Sequence, residues 1–127
     1  MTLAYWCVLI VMLLPLIAAA SAKLLGKMPA SDNHDPRAFL DQVTGKAKRA
    51  NNAQLNSHEI APFFAAAIII AQQIGQMAQS TIDVLAISFV ISRVLYLIAY
   101  IADWASLRSL IWLAGLGLLI SLFMLSA

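Results

Sequence analysis

Four polar residues in one stretch of the chain, Arg49, Asn52, Asn56 and Glu59, are spaced i, i+3, i+7, i+10. On a helix of 3.6 residues per turn they share an arc of roughly 80°. Arg93, Tyr96, Tyr100 and Asp103 repeat the same spacing further on. A guanidinium and a carboxylate with amides and phenols between them can pair across two helices or share one polar ligand. Glu59 and Arg93 both stand inside apolar surroundings. An ionisable group at membrane depth costs at least about 2.5 kcal/mol, so each needs a partner. The expectation is that Glu59 and Arg93 face one another, or a common guest, between adjacent helices. Polar residues can also simply hold membrane helices together, and for Asn52 or Asn56 alone that reading suffices. A structural ion pair needs two residues, however, and here there are two stripes of four.

Other chemistries are excluded. His58-Glu59 suggests a zinc site, but that pattern requires a second histidine three residues after the glutamate, and Pro62 occupies the position. The only other histidine is His34, so no metal is expected. Gly115-Leu116-Gly117 lies in an apolar run, where it permits close helix packing and cradles no phosphate. No Ser-His-acid set is present. A net charge of +2 is too small and too local for nucleic acid.

The elements that must position these residues follow from hydropathy. Of 127 residues, 62% are hydrophobic and 11% charged, against about a quarter charged in soluble domains; mean hydropathy is +0.86. Lipid is the implied solvent. Leu3–Ala22, Ile82–Ala102 and Leu110–Ser126 approach or reach the roughly 20 residues that cross a bilayer. Ile60–Ala71 is shorter. Together with the helix-compatible residues on either side, it forms a fourth span with one polar face. The fold expected is an all-α membrane protein, a four-transmembrane-helix bundle in one domain over 1–127, with spans at approximately 3–25, 48–77, 81–103 and 108–126.

Ala20-Ser21-Ala22 resembles a signal-peptide cleavage site, but no Lys or Arg precedes the first apolar run, which is longer than a usual signal core. It therefore reads as a retained span. The lone Cys7 excludes an internal disulfide. Lys23, Lys27, Arg37, Lys46, Lys48 and Arg49 lie between the first and second spans, and Arg108 between the third and fourth. The positive-inside rule places both of these loops in the cytoplasm and both termini outside. Pro15 would kink the first span, Met28–Pro36 is rich in turn residues, and residues 37–45 could form a short interfacial segment.

Ala53-Gln54-Leu55-Asn56-Ser57-His58-Glu59-Ile60-Ala61-Pro62 resembles the second-helix signature A-Q-x-N-x-x-E-x-x-P of the MAPEG proteins, the membrane-associated proteins in eicosanoid and glutathione metabolism. Arg93, Tyr96 and Tyr100 match the pattern R-x-x-[YH]-x-x-x-Y of that family's third helix. Leu107-Arg108-Ser109 is similar to the segment carrying the arginine of its glutathione-dependent members. The resemblance, closest to bacterial-type members, spans essentially the whole chain. It implies a homotrimer in the bacterial inner membrane, with active sites between subunits and glutathione bound near the cytoplasmic side.

On this resemblance Arg49, Asn52, Asn56, Glu59, Arg93, Tyr96 and Tyr100 would bind glutathione as co-substrate. Arg108 and Ser109 would be catalytic, the cation and a hydroxyl donor favouring the thiolate of a thiol whose ordinary pKa is about 8.5. The second substrate would be a hydrophobic small molecule arriving from the membrane lipids. The implied activity is that of a glutathione transferase or peroxidase acting on hydrophobic electrophiles. The alternative is a non-catalytic lipid-binding or scaffold member. Asn52 favours that alternative, because glutathione-using members often carry an arginine at this position and an amide is no substitute for its fork.

Overall fold

A computed structural model describes residues 1–127. Five helices follow one another: α1 (Leu3–Leu25), α2 (Pro36–Gln42), α3 (Gly45–Ile74), α4 (Gln79–Ile101) and α5 (Ala105–Ser126), with a 3-10 turn at Ala30–His34 before α2. No strand is present. α1, α3, α4 and α5 pack along one another, and α2 lies against α3. α1, α4 and α5 are long and apolar enough to cross a membrane. The fourth expected span, α3, is the longest helix, 30 residues or about 45 Å. It lacks the apolar composition because its first half carries Lys46, Lys48, Arg49 and the polar residues from Asn51 to Glu59.

Helix limits follow local chemistry. α2 begins with Pro36 in its first turn, and the Asp35 carboxylate accepts from the Ala38 amide at 3.1 Å, as an N-cap should. The expected interfacial segment at 37–45 is therefore a helix ending at Gln42. α3 stops at Ile74 rather than 77, because Gly75 takes the left-handed conformation at φ +68°. α4 ends at Ile101 because Asp103 is left-handed at φ +64°, while the Trp104 amide returns to the Ala99 carbonyl at 2.9 Å. Asp103 thus lies beyond the helix, outside the stripe that spacing alone assigned to it.

The helices meet through small residues and one aromatic stack. Ala4, Ala18, Ala22, Ala67 and Ala71 are all buried, so backbones approach closely, which is how membrane helices gain dispersion contacts. Phe64 of α3 and Phe89 of α4 stack with centroids 4.2 Å apart, at 7° between planes. Of the two expected packing glycines, Gly115 sits against Ser92 and Phe89 of α4, whereas Gly117 faces open space. At the end holding the α3–α4 turn, Asp83 accepts from the Ala4 amide of α1 at 3.0 Å and from Gln79 at 2.8 Å; Gln79 in turn accepts from Gln72 at 2.9 Å. The charge that interrupts the third apolar run is a cap for the first helix.

At the opposite end α1 closes with Gly26 and then Lys27, which is left-handed at φ 54°. A Cβ on Gly26 would stand 3.0 Å from the Ala22 carbonyl and from the Phe39 ring, and 3.1 Å from Val43. Adjacent substitutions should therefore act in opposite directions. Gly26→Ala should destabilise by about 1–3 kcal/mol through overpacking. Lys27→Gly should stabilise by about 0.5–1 kcal/mol, the net of relieving the left-handed side chain against the backbone entropy that glycine loses. Thermal melts of both variants in one detergent provide the check.

Candidate functional site

The site is built from α3, α4 and α5. Arg93, in the middle of α4, is 4% exposed. Its guanidinium donates to Asn56 Oδ1 at 2.9 Å and to Ser57 Oγ at 3.4 Å, both on α3. It also lies 4.1 Å from the centroid of the Tyr96 ring one turn away. A hydrogen bond from a charged group contributes about 1.5–3 kcal/mol, and a desolvated cation over a ring adds up to about 2 kcal/mol. These neutral contacts compensate the buried cation.

The aromatic contacts continue past Arg93. Tyr96, also buried, meets Tyr100 edge-on with centroids 5.6 Å apart and planes at 81°. The Arg108 guanidinium of α5 then covers Tyr100 at 4.4 Å. Arg93, Tyr96, Tyr100 and Arg108 thus form one cation–ring–ring–cation ladder. Its Tyr96, Tyr100 and Arg108 line a groove of about 430 Å³ together with Ser109, Trp112 and Leu113. One wall is polar and charged, the other apolar.

The expected apposition of Glu59 and Arg93 is not made within the chain. Arg93 is bound by Asn56 and Ser57, and Glu59 is exposed. Helix geometry gives the reason. Each residue turns about 100°, so Ser57 and Glu59 flank Asn56 on opposite sides. α4 packs on the Ser57 side. The 80° stripe therefore divides. Arg49 and Asn56 bond to α4, whereas Asn52, half-buried, and Glu59, exposed, make no hydrogen bond to it.

Two further residues have local duties that spacing did not indicate. Arg49 donates its Nε to the carbonyl of Ile101 at 3.2 Å, satisfying a free acceptor at the C-terminus of α4, where a cation is also favoured by the helix dipole. Its terminal NH2 groups remain for a ligand. Ser109 reaches the groove wall, but its hydroxyl donates to the Ala105 carbonyl at 3.1 Å. It is thus not poised as the expected donor to a thiolate. Ser57, Trp112 and Leu113 were missed from sequence. Trp112 stands four residues after Arg108 and three after Ser109, so helical spacing from those two residues would have found it.

A family model, that of the MAPEG family, matches residues 3–127. The chain belongs to the MAPEG family. No curated protein and no solved structure matches it. Membership across essentially the full chain, with three apolar helices of spanning length, makes this a membrane protein of the MAPEG group, whose field is eicosanoid and glutathione metabolism. In this MAPEG protein the signature arginine of α4 is held by the signature asparagine of α3, so two family positions form one buried contact.

That contact makes a direct prediction. Asn56→Leu removes the acceptor from a buried cation and should destabilise by about 1.5–3 kcal/mol; Asn56→Asp, which restores an acceptor, should recover most of it. Asn52→Leu, at a half-buried site outside the Arg93 contact, should stay within about 0.5 kcal/mol of wild type. Denaturation in detergent micelles followed by helical circular dichroism distinguishes the two positions.

Proposed function

We propose that the protein is an integral-membrane glutathione transferase or peroxidase-like enzyme that joins glutathione to hydrophobic electrophiles or uses it to reduce them. The observation carrying this reading is the groove itself. A ladder ending in Arg108 forms its polar wall and Trp112 with Leu113 its apolar wall. A thiol and a greasy reactant can meet at such a boundary, where positioning supplies much of the rate. Arg108 favours the thiolate by proximity of positive charge. In conjugation, the thiol loses its proton, sulfur bonds to the electrophilic carbon, and a leaving group departs with its electron pair or a proton adds. In reduction, two glutathiones become a disulfide while a hydroperoxide becomes an alcohol and water.

Glutathione carries two carboxylates and an ammonium, so it calls for cations, amides and one acid. Arg49, Asn52, Asn56, Arg93 and Tyr96 would take the carboxylates and peptide groups, Glu59 the ammonium. Tyr100, with Arg108 and Ser109, would lie nearer the sulfur. Several of these groups lie on an edge that the single chain leaves open. Glu59 is exposed there although it lies one turn beyond Asn56 along α3, and an unpaired carboxylate at such depth is costly. This supports a homotrimer in which the ligand lies between one subunit's α4–α5 groove and the neighbouring subunit's α3 edge. The same reading has α3 crossing the bilayer as the fourth span of the bundle. It places the protein in a bacterial inner membrane, with the basic loops 1–2 and 3–4 in the cytoplasm.

The second reading, a lipid-binding or scaffold member without catalysis, is favoured by Asn52, by the bond of Arg49 to Ile101 and by the bond of Ser109 to Ala105. Asn52 stands in place of an arginine fork, Arg49 keeps only its terminal nitrogens for a ligand, and the Ser109 hydroxyl is already engaged. Two measurements decide between the readings. Glutathione at 100 times its dissociation constant should stabilise the detergent-solubilised protein by about 2.7 kcal/mol; no thermal shift at millimolar glutathione removes thiol chemistry. With binding established, Arg108→Ala should lower kcat at least 100-fold while changing glutathione affinity less than tenfold. Equal losses in both would reduce Arg108 to a ligand holder.

A further inference from the structure

Arg108 stands one turn into α5, and the ring it covers, Tyr100, belongs to the last turn of α4. The seat of the cation is therefore set by the corner between these helices, Ala102-Asp103-Trp104. Three bonds shape that corner from within: the Asp103 amide donates to the Tyr100 carbonyl at 3.2 Å, Trp104 to Ala99 at 2.9 Å and Arg108 to Trp104 at 2.8 Å. A single hydrogen bond ties it to another helix. No backbone amide donates to the Ile101 carbonyl, and Arg49 Nε of α3 fills that place at 3.2 Å. The Ile101 side chain packs on a small core of Ala22, Leu40 and Ala50, drawn from α1, α2 and α3. One residue thus anchors the corner to the rest of the chain, by its carbonyl and by its side chain. Ala102, Asp103 and Trp104 are all exposed, so their own packing does little to fix the angle of α5. A cation–ring contact fades beyond about 6 Å from the centroid, and at 4.4 Å it tolerates only a small swing of that helix.

We propose that Arg49 is a positioning residue for Arg108: its bond to the Ile101 carbonyl holds the α4–α5 corner so that the Arg108 guanidinium stays over Tyr100, beside a thiol in the groove. The chemical consequence rests on the thiol reading given above; the anchoring itself does not. The two ends of the Arg49 side chain then have separate duties. Nε serves the corner, and the terminal nitrogens are left for a ligand carboxylate. The link is a charge-assisted hydrogen bond at a helix C-terminus, where the dipole adds to it. Its loss leaves Ile101 with packing alone and lets Arg108 drift from its ring. An opposite charge within about 4–6 Å lowers the pKa of an acid by about 1–3, so a displaced Arg108 returns a bound thiol toward its ordinary value of about 8.5.

Two substitutions of equal length separate these duties. Arg49→Gln keeps a side-chain N–H at the reach of Nε but has no charged fork, whereas Arg49→Met has neither. The full-length protein in detergent is read in two ways. Without ligand, hydrogen exchange of the Asp103, Trp104 and Arg108 amides should quicken at least about tenfold in Arg49→Met, the worth of one such bond, and stay within about threefold of wild type in Arg49→Gln. With saturating glutathione, ultraviolet thiolate absorbance followed against pH should show the bound thiol ionising about one pH unit higher in Arg49→Met and unchanged in Arg49→Gln. Both variants lose the fork and should bind glutathione more weakly to a similar degree. Ile101→Ala, which trims the packing side of the anchor, should move both readouts as Arg49→Met does and serves if that variant does not fold. Equal exchange in Arg49→Met and wild type would overturn the proposal. So would an ionisation raised equally in both Arg49 variants, which would mean that the Arg49 charge acts on the ligand directly. A wild type without any thiolate signal would instead remove the thiol reading, and the exchange comparison would still decide the anchor.

Discussion

The buried guanidinium of Arg93 constrains the rest of the structure. A permanent cation in the middle of an apolar helix must be neutralised or solvated by the protein itself. Here the compensation comes from an amide oxygen, a hydroxyl and a ring face, with no carboxylate among them. That choice sets the rotation of α3 against α4, since Asn56 and Ser57 must face inward together. It sets the rotation of Tyr96, whose ring must lie over the cation, and through Tyr96 the position of Tyr100 and the seat of Arg108. Because neutral groups satisfy Arg93, its positive charge is not cancelled by a salt bridge inside the chain. An anion reaching the groove meets that field in a medium of low dielectric, where it is strongest.

The division of the α3 stripe follows from the same rotation. The side toward α4 is occupied by contacts that hold the chain together, and the other side keeps Asn52 and Glu59 outward. A subunit built this way has an internal half of the site and an external half on different surfaces. Function in such an arrangement depends on what covers the outer edge. The groove at α4–α5 and the outer edge of α3 have complementary chemistry, cations and rings on one and an acid with an amide on the other.

Much of the fold was legible because lipid imposes a strong constraint: long apolar runs between turn residues have to be helices. Four of the five helices lie where hydropathy put them, with ends shifted by a few residues. Those shifts come from backbone conformations that composition does not register, as at left-handed Gly75 and Asp103. The polar stripes were legible as periodicity, and Tyr96, on the same arc as Arg93, is buried with it. Which flank of an 80° stripe meets its neighbour was not legible, since a shift of one helix position decides it. Glu59 therefore forms no ion pair with Arg93 inside the chain, Ser57 takes a place beside Asn56 that spacing did not single out, and Trp112 lay in an apolar run whose composition did not set it apart.

The cap at Asp83 carries a consequence for how the chain is made. The first turn of α1 takes its acceptor from a residue at the start of α4, seventy-nine positions later. Until that carboxylate has left the ribosome and entered the bilayer, the Ala4 amide must find its bond elsewhere, in water or lipid headgroups. α1 is thus completed by a helix made well after it, and its seating at that surface waits on synthesis through α4.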